Sequence, residues 1–482
     1  MGAVKGAAEG SLLGVGAADA GAPLASPAGS GRNSAVTLLQ IYVVTLVALP
    51  NDIGLPGVPG LNPPTLVALF GLAVWMASVA LGLHRPTIRP NPTRLSLLAL
   101  WLATSLSLVA MQFTSPTADQ VAGSTRWLLQ LAAWTGVILL AADFISSQAE
   151  VHRILRTLTW AGAVMGLVAL VQFQFRIDLA TYLRYVPGFV EKAAGYTAIG
   201  ERGGKARVAG TALHPIELGV TAATILPLAI VAALRARGRW WWNWGPVALV
   251  AVPLVVSLSR SAVIALTLSF GFLLVCLRPA QRLVALGAAA AGAVATFALA
   301  PGALGTLLAS FTAAAADSSV QKRQLQAPIV ERLVAEHPWF GRGGGTLVPA
   351  TRYTNIVFNN IYDNQYFGMA IEFGLVGVTV ITLGYLLLPP VVALVARGRS
   401  ADPDLRLLAG ALAGTAAVAI PTAYTFDSFA FPKAAGMQAL AVGLIGAVWH
   451  LVRLERDPNH EVGNARIDGT LDRPDADQLD AP

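Results

Sequence analysis

Four short polar stretches interrupt an otherwise oily chain, and each offers groups able to act on a charged or hydroxyl-bearing substrate. In "EHPWFGRGGGT", Glu336–Thr346, His337 is the one side chain of its segment whose type takes and returns a proton near neutral pH. Pro338 and the four glycines around Arg342 predict a tight turn whose backbone N–H groups face an anion. The run lacks the preceding strand and the lysine–hydroxyl pair of a phosphate-binding P-loop, which excludes a nucleotide site. In "SLSRSAV", Arg260 stands between two apolar runs with only Ser257, Ser259 and Ser261 for polar company. A guanidinium keeps its charge and presents a planar fork to phosphate oxygens, although the same residue would serve as an interfacial anchor.

In "RVAGTALHPIELG", Arg207, Thr211, His214 and Glu217 recur every three or four residues, which predicts one stripe of a helix. Glu217 then lies inside a span, where an ionisable group costs a few kcal/mol unless it faces a cavity or a partner. In "NNIYDNQYFGMAIEFGLVG", Glu372 follows Gln365 by seven positions, nearly the same helical face. Asn359, Asn360, Asp363 and Asn364 precede it, and such amides suit hydroxyl-rich sugars because each offers donor and acceptor together. A helix cap at Asp363 or Asn364 accounts for the same residues.

The elements that must position these groups are membrane helices. The chain of 482 residues is 55% hydrophobic and 12% charged, and its apolar runs are long enough to span a bilayer. Twelve spans are expected, at about 35–50, 64–83, 95–112, 126–146, 155–175, 211–234, 244–259, 261–277, 283–300, 366–390, 405–425 and 434–452. They form one all-α, polytopic integral membrane bundle over 34–453, between tails 1–33 and 454–482 whose compositions predict cytoplasmic disorder. Arginines after every second span place both termini in the cytoplasm, and Trp240, Trp241, Trp242 and Trp244 at a cytoplasmic interface. Segments 176–210 and 301–365 then lie outside, the second as a large loop between helices 9 and 10. Their basic residues, including Arg202, Arg207 and Arg342, sit on the side that membrane proteins usually keep less positive, which an anionic ligand would explain. The net charge of +7 with no nucleic-acid module points to no nucleic-acid partner, and the lone Cys276 excludes an intrachain disulfide.

Taken together, these motifs resemble the O-antigen ligase and O-antigen polymerase superfamily of membrane glycosyltransferases over roughly residues 200–385. The resemblance implies a GT-C-like helical bundle in the cytoplasmic (inner) membrane, with its active site facing the periplasm or exterior. It further implies transfer of a glycan from a polyprenyl-diphosphate donor, of the undecaprenyl diphosphate kind, to a sugar hydroxyl of a lipid or glycan acceptor, as in lipopolysaccharide assembly. By resemblance His337 matches the loop histidine of catalysis, and Arg207 and Arg260 match the arginines that hold the diphosphate. Arg342 stands where the family often has an apolar residue. Arg202, His214, Glu217, Arg342, Asp363, Asn364 and Glu372 complete the expected site. No cofactor and no metal are expected, because fixed guanidinium groups do the electrostatic work that magnesium on Asp363, Glu372 or Glu217 would otherwise do. A secondary transporter or a lipid-linked oligosaccharide flippase is the rival class. Such proteins usually carry their main linker in the cytoplasm between two related halves.

Overall fold

The computed structural model describes residues 27–58, 60–83, 91–191, 199–202, 204–287, 318–347 and 364–456, together with 290 and 305 as single positions. Helices dominate: α1 Pro27–Val47, α2 Pro63–Ala80, α3 Thr93–Met111, α4 Ala118–Phe144, α5 Gln148–Phe175 and the short α6 Ala180–Leu183. After two hairpin-like pairs come α7 Pro215–Arg235, α8 Trp240–Val256, α9 Arg260–Cys276, α10 Ser318–Glu336 and α11 Gln365–Ile381. The π-helical turn Thr382–Leu387 joins α11 to α12 Leu388–Arg399, followed by α13 Pro403–Ala417, α14 Ala419–Thr425 and α15 Pro432–Glu455.

Among the described residues, eight helices are long and apolar enough to cross a membrane, the sixth of them running from Gln365 to Arg399 through the π-helical turn. Ser34–Val47, α8 and α9 are shorter apolar helices. Eleven of the twelve expected spans thus coincide with apolar helices; most of the expected ninth, 283–300, lies outside the described residues, as do 1–26 and 457–482 of the expected tails. The helix containing the first span begins at Pro27, earlier than the tail boundary at 33.

Local sequence sets the helix ends. Thr117 with Gln120 and Ser147 with Glu150 form capping boxes at α4 and α5, while Asn62, His214, Asn364 and Asp402 cap α2, α7, α11 and α13. Burial then ranks the helices. The apolar window of α15 is 89% buried and that of α7 83%, against 33% for α2, so α7 and α15 are the spines and α2 faces lipid. Between apolar helices in lipid, association depends on close packing of small residues. Gly443 of α15 meets Ala141 and Ile138 of α4, and Gly414 of α13 meets Phe272 and Ser269 of α9, at separations that a methyl group would close.

Each end of the bundle has its own chemistry. At one end Arg94 pairs with Asp143 at 2.8 Å, Arg235 with Asp404, and Gln148 bonds Asp402. Glu455 there accepts from Ser400 Oγ and from the Ala401 and Asp402 amides, and Arg399 lies over Trp449. Exposed Trp240, Trp241 and Trp242 sit at this arginine-rich end. The opposite end collects the C-termini of α1, α3, α5 and α8 and the N-termini of α4, α7, α9, α11 and α15, and all the described candidate residues lie there.

Candidate active site

The 176–210 connection is ordered by pairing. Strand β1 (Ile53–Gly54) pairs antiparallel with β2 (Val190–Glu191), and β3 (Ile199–Arg202) pairs with β4 (Lys205–Val208). Arg207 is therefore a strand residue opposite Gly200, and the helix begins only at Pro215. The expected helical stripe from Arg207 to Glu217 is overturned: Gly210, with φ +62, and Pro215 divide strand from helix. What holds the intervening residues is buried Gln172 of α5, whose Oε1 accepts from Gly210 N at 2.8 Å and whose Nε2 donates to Asp178 Oδ1 at 2.7 Å. Thr211 Oγ1 donates to Val47 O at the end of α1.

From that strand the Arg207 guanidinium reaches across to α8, its Nε donating to Ser257 O at 3.2 Å. Ser257 lies three positions before Arg260, the first residue of α9, so the two arginine motifs meet. The turn between them is under strain: Leu258 has φ +45, a left-handed conformation that a leucine adopts only when its surroundings impose it. Among the described residues the hydroxyls of Ser257 and Ser259 are buried without a hydrogen-bond partner, and the N-cap Ser259 makes no capping bond. His214 belongs to the same cluster. Its Nδ1 accepts from Ile216 N at 3.1 Å, and burial, with the Arg207 charge second, pushes its pKa down to about 4, so the imidazole is neutral at physiological pH.

Glu217 is fully buried, and its carboxylate is occupied: Oε2 accepts from Leu213 N at 2.8 Å and Oε1 from Lys433 N at 2.7 Å. Lys433 is equally buried. Its ammonium donates to Leu46 O, Val47 O and Leu49 O, closing the C-terminus of α1. This Glu217–Lys433 node ties α1, α7 and α15 together behind Arg207. Lys433 is absent from the residues expected at the site; a lysine directly before the last expected span, 434–452, was the available signal.

The second cluster is built on the glycine loop. α11 is broken at Gly374, whose φ of 65° and ψ of −175° suit glycine alone, and the broken backbone exchanges hydrogen bonds with the loop. Arg342 N donates to Ile371 O, Gly343 N to Glu372 O, Leu375 N to Pro338 O and Val376 N to Trp339 O. A Cβ on Gly341 would lie 2.4 Å from Glu372 backbone, one on Gly374 2.4 Å from Trp339 backbone, and one on Gly345 2.4 Å from Gly123 O of α4. The expectation that the loop's N–H groups face an anion is thus overturned at Gly341, Arg342 and Gly343, whose amides serve His337 O, Ile371 O and Glu372 O. These glycines are a packing seam against α4 and α11.

Within this seam Arg342 pairs with Glu336, and Glu372 Oε1 accepts from Leu347 N at 3.0 Å. Asn364 caps α11 through Tyr366 N, and Gln365 Oε1 accepts from Phe429 N. Asp363, Asn359 and Asn360 lie outside the described residues, and Arg202 is placed by its strand alone. His337 directly follows α10 with a half-buried side chain, its imidazole making no hydrogen bond among the described residues. Several of the cations expected outside are also matched by acids: Arg184 by Asp52 at 2.7 Å and Asp178, Arg176 by Glu201, Arg342 by Glu336. The unfavourable placement of these three needs no external anion.

The short helix α14 packs on both α9 and α11 and so stands between the two clusters. Residues 245–382 match the family described as O-antigen ligase, from the start of α8 through the broken helix α11. Over these residues the chain is similar to O-antigen ligases. The match spans the Arg260 turn, His337, the glycine loop and Glu372, while Arg207, His214 and Glu217 precede it. No curated protein matches the chain.

Proposed function

We propose that this O-antigen ligase-type membrane protein transfers a glycan from a polyprenyl diphosphate to a hydroxyl of a lipid or glycan acceptor. The arginine-rich end is read as cytoplasmic and the end carrying the clusters as exterior. One observation carries the proposal: the Arg207 bond to Ser257 O joins two arginines on separate elements at one strained turn, away from the arginine-rich end. Two guanidinium forks at a membrane face suit a diphosphate better than a neutral sugar.

The acceptor oxygen attacks the anomeric carbon as the bond to the diphosphate oxygen breaks. The leaving diphosphate takes the bonding electrons, and Arg207 and Arg260 neutralise its growing charge. His337, half-buried just after α10 and with no hydrogen bond to its imidazole among the described residues, orients the acceptor hydroxyl or takes its proton, giving inversion in one displacement without a metal. Glu217, Asn364, Gln365 and Glu372 hold the backbone that presents these groups. His214 and Arg342 flank the donor and acceptor sides, with Arg202 and Asp363 as the remaining candidate contacts. Arg207→Lys and Arg260→Lys keep the charge and lose the fork. Each should insert normally and transfer glycan at least about tenfold more slowly. Wild-type rates in both variants would remove the arginines from the donor site.

A further inference from the structure

Inside the bundle, α7, α13, α14 and α15 surround a cavity of about 20 Å³, room for one water-sized guest. Its lining includes Thr221 and Thr224 of α7, Thr415 of α13, Thr422 of α14, Ser428 of the following turn and Gln438 of α15, all buried. Among the described residues no charged side chain lines it. The cavity lies between the two clusters. Glu217, behind Arg207, stands one helical turn before Thr221 on α7. On the opposite wall α14 and its turn are tied to the start of α11, Ile420 O accepting from the Tyr366 hydroxyl at 3.0 Å and Phe429 N donating to Gln365 Oε1 at 2.7 Å.

Each hydroxyl carries one proton and two lone pairs. Thr224 donates its proton to Thr221 O at 2.7 Å, Thr415 to Thr224 O at 3.1 Å and Thr422 to Val418 O at 2.7 Å, so these three oxygens offer only lone pairs to a guest. Gln438 keeps its Oε1 as an acceptor while its Nε2 donates to Tyr385 O at 3.5 Å. Thr221 Oγ1 differs. It is fully buried and has no hydrogen-bond partner among the described residues, so its proton needs an acceptor. We infer that the cavity binds one ordered water molecule, which accepts from Thr221 Oγ1, donates to the facing hydroxyl oxygens and so joins α7 to α13, α14 and α15. A metal cation would use the lone pairs, but it would leave the Thr221 proton unanswered and bring a charge into a cavity lined by no carboxylate. Water alone meets both halves of the requirement, two protons to give and lone pairs to receive. The site does not depend on the proposed reaction.

Thr221→Val supplies the test, because it keeps the shape of the side chain and removes only the hydroxyl. With a water bound, the substitution deprives that water of its donor, and the melting temperature of the intact protein in detergent should fall by about 1–3 °C. With nothing bound, it would remove an orphaned buried hydroxyl, and the melting temperature should hold or rise. The sign of the shift therefore decides. Thr221→Ser, which keeps the hydroxyl, reads the cost of the lost methyl, and it should still hold the water. An experimental density map of the wild-type protein gives the second readout. One peak should lie about 3 Å from Thr221 Oγ1, persist in Thr221→Ser and keep its height when rubidium replaces sodium in the buffer. A Thr221→Val variant that melts at or above wild type, a map with no such peak, or a peak that strengthens in rubidium would each overturn the inference, the last by making the guest a cation.

Discussion

The seam between the glycine loop and the broken helix α11 makes Gly374→Ala a demanding perturbation. Its backbone, at φ 65° and ψ −175°, lies in a region essentially closed to other residues, with a strain cost of about 1–3 kcal/mol. The new methyl would also sit 2.4 Å from the Trp339 carbonyl carbon and 2.5 Å from Phe340 N, both backbone atoms with no rotamer by which to withdraw. Relief requires the loop to lift, breaking the four backbone hydrogen bonds from 338–343 to 371–376, each worth a net contribution of about 1 kcal/mol. The expected destabilisation is about 3–4 kcal/mol, or local detachment of the loop with a similar loss. Gly57→Ala separates backbone strain from collision, because Gly57 has φ +73 and open space around its Cβ; it should cost only about 1–2 kcal/mol. Thermal unfolding in detergent, combined with protease cleavage between 337 and 347, reads both effects. If Gly374→Ala melts within about 1 kcal/mol of Gly57→Ala and its loop stays uncut, the seam is not packed as described.

His337→Ala should insert and fold normally yet transfer glycan about 10²–10⁴-fold more slowly; near-normal turnover per folded molecule would make it a structural loop residue. Lys433→Met leaves two carbonyls of α1 and that of Leu49 just after it without their donor and Glu217 without its nearby cation, for an expected loss of about 3–5 kcal/mol, partly recovered by adding Glu217→Gln. An unchanged melting temperature would contradict the node. His214 carries a folded-state pKa near 4, below its ordinary 6.5, so unfolding takes up a proton in that window. Stability should be full above about pH 6.5 and fall as pH drops toward 4, a slope that His214→Gln should flatten.

Much of the fold was legible because hydrophobic run length reports directly on the bilayer. The two-ended distribution of arginine followed from the same chain, and the structure matches it with Arg94–Asp143 and Arg235–Asp404 at one end. What was not legible is long-range. Arg207, His214 and Glu217 have helical spacing, but the β3–β4 pairing and the Gln172 clamp on Gly210 override it, and neither is local in sequence. Likewise the glycines around Arg342 read equally as an anion nest or a close backbone approach. Only the break at Gly374, thirty-odd residues away, decides between them. Lys433 escaped notice because its partners, the carbonyls of α1, lie almost four hundred positions earlier.

The most direct measurement is to incubate the purified protein with a polyprenyl-diphosphate-linked glycan and an acceptor bearing a free sugar hydroxyl. The free polyprenyl diphosphate released and the anomeric configuration of the new linkage are then both measured. The proposed chemistry predicts stoichiometric release of polyprenyl diphosphate, inversion at the transferred carbon, and loss of both signals in Arg260→Lys. Movement of intact lipid-linked glycan across a vesicle membrane with no polyprenyl diphosphate released would contradict it and make the protein a flippase.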